Sequence, residues 1–359
     1  MTSVRGGLHR LHQMLWALSA LCCLASYPDS GNACPACLGP GVPNLTLVQK
    51  LIDSDQVVVA YATNDQPGRM IIKTVIQGDQ TKGAFVDIAR EELPPLGFQE
   101  GDLFLLGRQI LGHRWKLLSP VSLECEPWLR GIIGLKRTSE LTDRDWEERV
   151  RRFLPDLNHA DALISSTAFG EIARAPYSAM RANRELMEKD KLLSDWQSEF
   201  VPPERKPLYV LLLGICGDNE VESLIDEHLL MLDRNRSADG LAAYLVAKLE
   251  RVGPSAIAGL KQSYLVNRGR NEEERYAAYL ALSIQGGGNS AIFREPIVAL
   301  YQELIAIGQT SVIMITDLTS WSRWELRDPI RKLLTKSDLS LPARDAIQSY
   351  LSAASKVSE

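Results

Sequence analysis

The sequence predicts an α+β protein in two domains: a small β-barrel over residues 34–126, then an all-α helical-repeat domain over residues 143–354. Three observations carry this. Between residues 57 and 118, short β-branched and aromatic runs alternate with turns rich in Gly, Asn and Asp. Past Pro127 the composition shifts to Leu, Ala, Glu and Arg at helical spacing. Within that second region, turn signals fall near 176, 217, 253 and 287, at gaps of 41, 36 and 34 residues. Stacked helix pairs repeat at about 34–47 residues. With 359 residues, 45% apolar, 24% charged and a net charge of −5, the chain has an ordinary globular composition. That excludes a disordered chain, a collagen and a disulfide-dense miniprotein, and the acidic balance offers no general basic footprint for nucleic acid.

Residues 1–33 read as a signal peptide. Arg5 and Arg10 precede an uncharged run of 12 residues, Met14–Ala25. A spanning helix needs about 20 apolar residues, whereas a signal core needs about 7–15. Gly31-Asn32-Ala33 offers a small-x-small cleavage pattern that leaves Cys34 first in the mature chain, with 38 basic against 44 acidic residues. Cleavage nearer Ala25 or Ser26 is an alternative, as is an N-terminal anchor helix that stays attached. Cys22 and Cys23 raise bacterial lipidation, but Leu21 stands where a small residue normally precedes the modified cysteine. The expectation is an exported protein, periplasmic or associated with the cell envelope, with no membrane span once the leader is removed.

Export changes the reading of the cysteines, because disulfides persist in oxidising compartments. Cys34, Cys37, Cys125 and Cys216 remain after the leader. A zinc site wants a second local pair of ligands, and His113, His159 and His228 are scattered. A c-type haem needs His after the second cysteine, and Leu38 stands there. A redox-active dithiol wants the first cysteine at a helix N-terminus, but Gly39-Pro40-Gly41-Val42-Pro43 forbids a helix. The plain reading is a structural disulfide from Cys34 or Cys37 to Cys125, tying the chain start to the end of the first domain. Closing a loop of about 90 residues contributes about 4–5 kcal/mol in the chain-entropy model. Cys216, in an apolar run, reads as a free thiol packed as a small apolar residue.

Leu45–Ser54 has helical spacing, with Asn44 available as its cap. Strands are predicted over Val57–Ala62, Met70–Ile76, Ala84–Ala89, Leu103–Ile110 and Trp115–Leu118, the last two pairing across Gly112-His113. In the third, Val86 and Ile88 share one face and Phe85, Asp87 and Ala89 the other. Tyr61, Phe85, Phe104 and Trp115 could stack bases. Aromatics on the strands of a small barrel are more often core, and Lys73, Arg90, Arg108, Arg114 and Lys116 are no denser than on an ordinary surface.

The Cys-x-x-Cys start, the short helix, the stretches SDQVVVA, IKTVIQGD and GDLFLLG, and the closing Cys125 resemble the netrin-type, OB-like module. The resemblance covers residues 34–125 and implies a five-stranded barrel. Tissue inhibitors of metalloproteinases share that fold and reach a protease zinc with a free N-terminal cysteine, a position comparable to Cys34. They carry Cys-x-Cys where this chain has Cys-Pro-Ala-Cys, and the rest of their disulfides have no counterpart here.

Residues 127–142 read as a linker. Asp143 or Asp145 can cap a helix that puts Trp146, Val150 and Leu154 on one face, and Pro155 stops it. Further helices are predicted over His159–Arg174, Leu208–Cys216, Glu220–Leu232, Leu241–Val252, Glu272–Ile284 and Pro342–Ala353, with Asp218 capping the third of these; residues 355–359 read as a tail. LYVLLLGICGDNEVESLI resembles a HEAT repeat, an apolar helix, a Gly-Asp turn and a second apolar helix. An irregular helical bundle is the alternative.

The chain has no phosphate-binding Gly-rich loop, no Gly-x-Ser-x-Gly and no His-Glu-x-x-His. The Gly286–Gly288 triplet reads as a flexible turn after a helix, and His159-Ala160-Asp161 as a helix start. Asp317, Trp321, Arg323 and Trp324 form an aromatic and charged cluster that could line a ligand groove. The opening CPAC, Leu208–Gly217 and the DLTSWSRW stretch resemble a set of exported proteins of planctomycete bacteria; the resemblance implies compartment and two-part architecture and no activity. The expectation is a non-enzymatic scaffold that binds another protein of the cell envelope, without a cofactor and without nucleic acid. The alternatives are a thiol–disulfide oxidoreductase using Cys34 and Cys37, or a protein that binds a small ligand.

Overall fold

The computed structural model of the chain describes residues 45–357, except 64–65, 67, 90, 92–98, 110–113, 289–290 and 338. The leader, Cys22, Cys23, Cys34 and Cys37 lie outside the described residues. The first element is a short helix, α1 (Leu47–Ile52). Its N-cap is Thr46 rather than Asn44: the Thr46 hydroxyl accepts from the Gln49 N–H, and the Gln49 side chain accepts from the Thr46 N–H.

Five strands follow, β1 (Gln56–Ala62), β2 (Arg69–Gln77), β3 (Phe85–Asp87), β4 (Leu103–Arg108) and β5 (Lys116–Pro120). They make one antiparallel sheet in the order β3-β2-β1-β4-β5. Irregularities in register between Val57 and Val58, Val59 and Ala60, and Leu105 and Leu106 bend the strands and raise the local twist. The sheet curls until Ile88, just past β3, meets Trp115, just before β5, in a single parallel bridge. The expected closed or nearly closed barrel is thus a curled half-barrel.

The unbroken apolar run of β1 has a physical reason. Val58, Ala60 and Ala62 face the hollow of the sheet, with Met70, Ile72, Phe104, Leu106 and Trp115. Val57 and Val59 face the opposite way and join Ile76 and Leu105 in the core that the helices build. Over Val57–Ala60 the strand is buried on both faces, so no polar alternation survives there.

Fifteen α-helices lie among the described residues. α2 (Glu126–Ile132) occupies the stretch expected as a linker; Leu129 and Ile132 are fully buried, and Arg130 Nη2 donates to the Val75 carbonyl at 2.9 Å. α3 (Asp143–Phe153) is capped by Thr142, with Asp145 completing the box, rather than by Asp143 or Asp145. α4 (Ala162–Ala173) is capped by Asp161, so the His159-Ala160-Asp161 stretch leads into a helix start. Then come α5 (Tyr177–Ala182), α6 (Lys189–Gln197), α7 (Lys206–Cys216), α8 (Asn219–Asn235, capped by Asp218), α9 (Leu241–Val252) and α10 (Ala256–Leu260). A π-helical turn, Lys261–Leu265, follows α10. The remainder is α11 (Glu272–Gly286), α12 (Ala291–Ala306), α13 (Val312–Ser320), α14 (Arg327–Leu333) and α15 (Leu341–Val357), the last running into the expected tail. From α7 onward every second helix packs on the next, α7 on α9, α9 on α11, α11 on α13 and α13 on α15. None of these helices is long and apolar enough to cross a membrane.

Sheet and helices meet at a buried polar joint. Glu171 of α4, 2% exposed, pairs with Arg149 of α3 at 3.0 Å and accepts from the Thr46 hydroxyl at the head of α1. Arg149 also donates to the Lys136 carbonyl at 2.6 Å. Burial pushes the Glu171 carboxyl above its ordinary range, while Arg149 and Thr46 pull it back.

α7 and α9 pack closely at Gly214. A Cβ there would stand 2.7 Å from the Ala247 Cα, which is backbone and cannot swing away. Alanine gains about 0.5–1 kcal/mol of helix propensity over glycine, and overpacking costs about 1–3 kcal/mol. Gly214→Ala is expected to lower the urea midpoint; an unchanged or raised midpoint would contradict this packing.

Candidate functional site

Cys125 sits between β5 and α2 and is fully buried. Its Sγ donates to Asp161 at 2.9 Å and lies 3.3 Å from the Ser122 hydroxyl. Burial and the Asp161 hydrogen bond hold the thiol above its usual range, which makes it a poor nucleophile as a free thiol. Burial alone would raise Asp161, but Cys125, the Ile164 and Leu163 N–H groups and Ser122 outweigh it and lower its carboxyl. Cys216, half-buried at the end of α7, is the other free thiol among the described residues, and burial raises it too.

The four residues expected to line a ligand groove separate into two neighbouring clusters. Asp317, on α13, accepts from the Ser283 hydroxyl at 2.6 Å and from the Tyr301 hydroxyl at 2.8 Å. Trp321 lies parallel to the Tyr301 ring, centroids 6.1 Å apart. It also presses on Gly286, where a Cβ would stand 2.5 Å from the indole. The glycine triplet expected as a flexible turn therefore begins with a helical residue whose lack of a side chain the packing requires. Trp324 and Arg323 turn to another partner: the Trp324 ring rests against Tyr350 at 5.3 Å, the Tyr350 hydroxyl donates to the Arg323 carbonyl, and Arg323 pairs with Glu295.

A cavity of about 360 Å³ opens beside the first cluster. Its wall comes from the turn after the π-helical segment, the start of α11, the end of α12 and the segment leading into α15. Tyr279 belongs to that wall, and its ring lies 6.4 Å from Tyr301, so cavity and Asp317 cluster are contiguous. Arg268, Arg275, Gln309, Thr310 and Lys336 line it as well. Sequence reasoning missed these residues; they come from three distant segments, and no local spacing marks them. A second cavity of about 360 Å³ lies by α3 and α5, with charges of both signs from Asp143, Glu147 and Arg181. Among the described residues no group of His, Cys, Asp and Glu stands close enough together to hold a metal ion.

Burial raises Asp317 to about 7 even though two hydroxyls donate to it. The folded chain therefore keeps a proton that the unfolded chain loses near pH 4, about its ordinary value. Between those limits the folded state binds more protons, so this group removes stability as pH rises, by about 1.4 kcal/mol per unit at most. Asp317→Asn is expected to flatten the fall in Tm between pH 4 and 7; equal slopes in the two proteins would contradict it. No family model matches the chain, and no curated protein and no solved structure matches it.

Proposed function

We propose that the chain is a non-enzymatic exported protein of the cell envelope. An OB-like, netrin-type barrel tied by a disulfide continues into a HEAT-like helical scaffold that binds another protein. The observation that carries the reading is the row formed by α7, α9, α11, α13 and α15. Each member of such a row buries one face on its predecessor, so stacking yields an extended surface suited to a partner rather than to a small substrate. The five-stranded, partly open sheet with its Ile88–Trp115 contact supports the OB-like assignment. The resemblance to exported planctomycete proteins supports the compartment.

The disulfide is within reach. α4 carries Asp161, the partner of Cys125, at its start and Glu171, the partner of Thr46, near its end. Those positions are about 15 Å apart along a helix. The chain from Cys37 to Thr46 can span about 30 Å. A bond from Cys34 or Cys37 to Cys125 would replace the thiol's hydrogen bond to Asp161.

Non-reducing peptide mapping of the mature protein tests this. The expected result is Cys34 or Cys37 joined to Cys125, a bond that glutathione leaves intact, and no reduction of insulin. A local Cys34–Cys37 bond that glutathione opens, with turnover on insulin, would contradict the scaffold and make the chain a thiol–disulfide oxidoreductase.

A further inference from the structure

We propose that Asp317 is a pH-sensitive latch on the last three helices: protonated, it holds α13, α14 and α15 against α11 and α12, and on ionising it loosens them. Those three helices, Val312–Val357, meet the rest of the chain chiefly where α13 packs on α11 and α14 on α12. Asp317 stands in that seam, 7% exposed. Its carboxyl accepts from Ser283 of α11 at 2.6 Å and from Tyr301 of α12 at 2.8 Å, so one side chain of α13 ties both helices. Arg323 to Glu295 and Lys336 to the Gly308 carbonyl also cross the seam, from side chains that solvent reaches.

Among the described residues no cation pairs with Asp317, whose two partners are uncharged. It is the only ionisable residue of α13. On α11, Tyr279 faces Tyr301, ring centroids 6.4 Å apart, and Glu272, Glu273, Glu274 and Arg275 lie at the far end of the helix. On α12, Arg294 crosses the Trp321 ring at 5.6 Å and gives its donors to the Gly286 and Gly288 carbonyls, while Glu295 is held by Arg323. On α14, Asp328 pairs with Arg331 at 2.9 Å and lies 3.9 Å from Arg327, all on exposed side chains, and Lys332 is exposed. On α15, Tyr350 donates to the Arg323 carbonyl and Arg344 to the Leu334 carbonyl at 3.4 Å, and Asp345 and Lys356 are exposed.

A carboxyl without a countercharge costs less to bury neutral than ionised, and burial raises this one to about 7 against the help of both hydroxyls. Opening the seam hydrates Asp317 and returns it to about 4. Between those two pH values the open form sheds a proton that the closed form keeps. Opening then becomes up to about tenfold more frequent per pH unit, and the gain stops below about 4 and above about 7. In a stacked row each helix depends on its neighbours, so an end segment opens without the rest. The stability lost as pH rises therefore falls first on α13, α14 and α15. The latch needs no partner, so it and the partner-binding role can fail separately.

Hydrogen exchange of the full chain at pH 5 and pH 7.5, corrected for the intrinsic exchange rate, tests the proposal. Protection of the amides of Val312–Ser320 and Leu341–Val357 is expected to fall at least tenfold more than that of Leu241–Val252 in α9. Asp317→Asn is expected to abolish that excess. Ser283→Ala and Tyr301→Phe each remove a donor to the ionised carboxyl, which raises it further. In both variants the fall is expected to continue between pH 7.5 and 8.5, where the unaltered chain has levelled off. An equal change in α9 and α13, or an excess that persists in Asp317→Asn, would overturn the latch. So would a fall that ends at the same pH in the unaltered chain and in both donor variants, a comparison that stands even if Asp317→Asn does not fold.

Discussion

The central strand of the sheet has no wet face, and much of the architecture follows from that. Val58, Ala60 and Ala62 fill the hollow of the half-barrel, while Val57 and Val59 belong to the helical core. Burying a Val side chain is worth about 1.5–3 kcal/mol, so exposing either face of β1 would forfeit several such contributions. The helices on the convex side are therefore part of what makes the sheet stable. The joint between Thr46, Glu171 and Arg149 sits where those two bodies of structure meet. A buried ion pair of this kind adds little net stability against an apolar replacement, yet losing one partner leaves an uncompensated charge. Its effect is to fix which surfaces meet.

The strands were legible because β-branched runs between Gly- and Pro-bearing turns have few other solutions, and β1, β2 and β4 fall within two residues of expectation. So were helix starts with an aspartate, as at Asp161 and Asp218. Where two capping candidates stood close together, the chain used threonine. Thr46 and Thr142 each have a residue three positions on, Gln49 and Asp145, that closes the reciprocal box. Seven helices gave no clear sequence signal: α2, α5, α6, α10, α12, α13 and α14. α12 carries Pro296 in its interior and is apolar on more than one side, so neither periodicity nor punctuation reveals it. The half-barrel likewise depends on bulges, which follow from register and not from composition.

The expected ligand groove shows how composition and geometry part. Asp317, Trp321, Arg323 and Trp324 are close in sequence, but one turn of chain after α13 sends them to different partners, Tyr301 for the first pair and Tyr350 for the second. Gly286 admits the Trp321 ring, and Ser283 and Tyr301 occupy both oxygens of Asp317. The cation-lined hollow behind Tyr279 arises instead from residues separated by up to 68 positions, Arg268 to Lys336. Such a hollow exists only once α11, α12 and α15 are stacked.

The sheet is stable only against the helices. Urea unfolding followed at once by the helical circular dichroism signal and by hydrogen-exchange protection of the β1 amides, Val57–Ala62, tests it most directly. A single shared midpoint is the expected result. Protection in β1 that outlasts the loss of helix by a separate transition would contradict it.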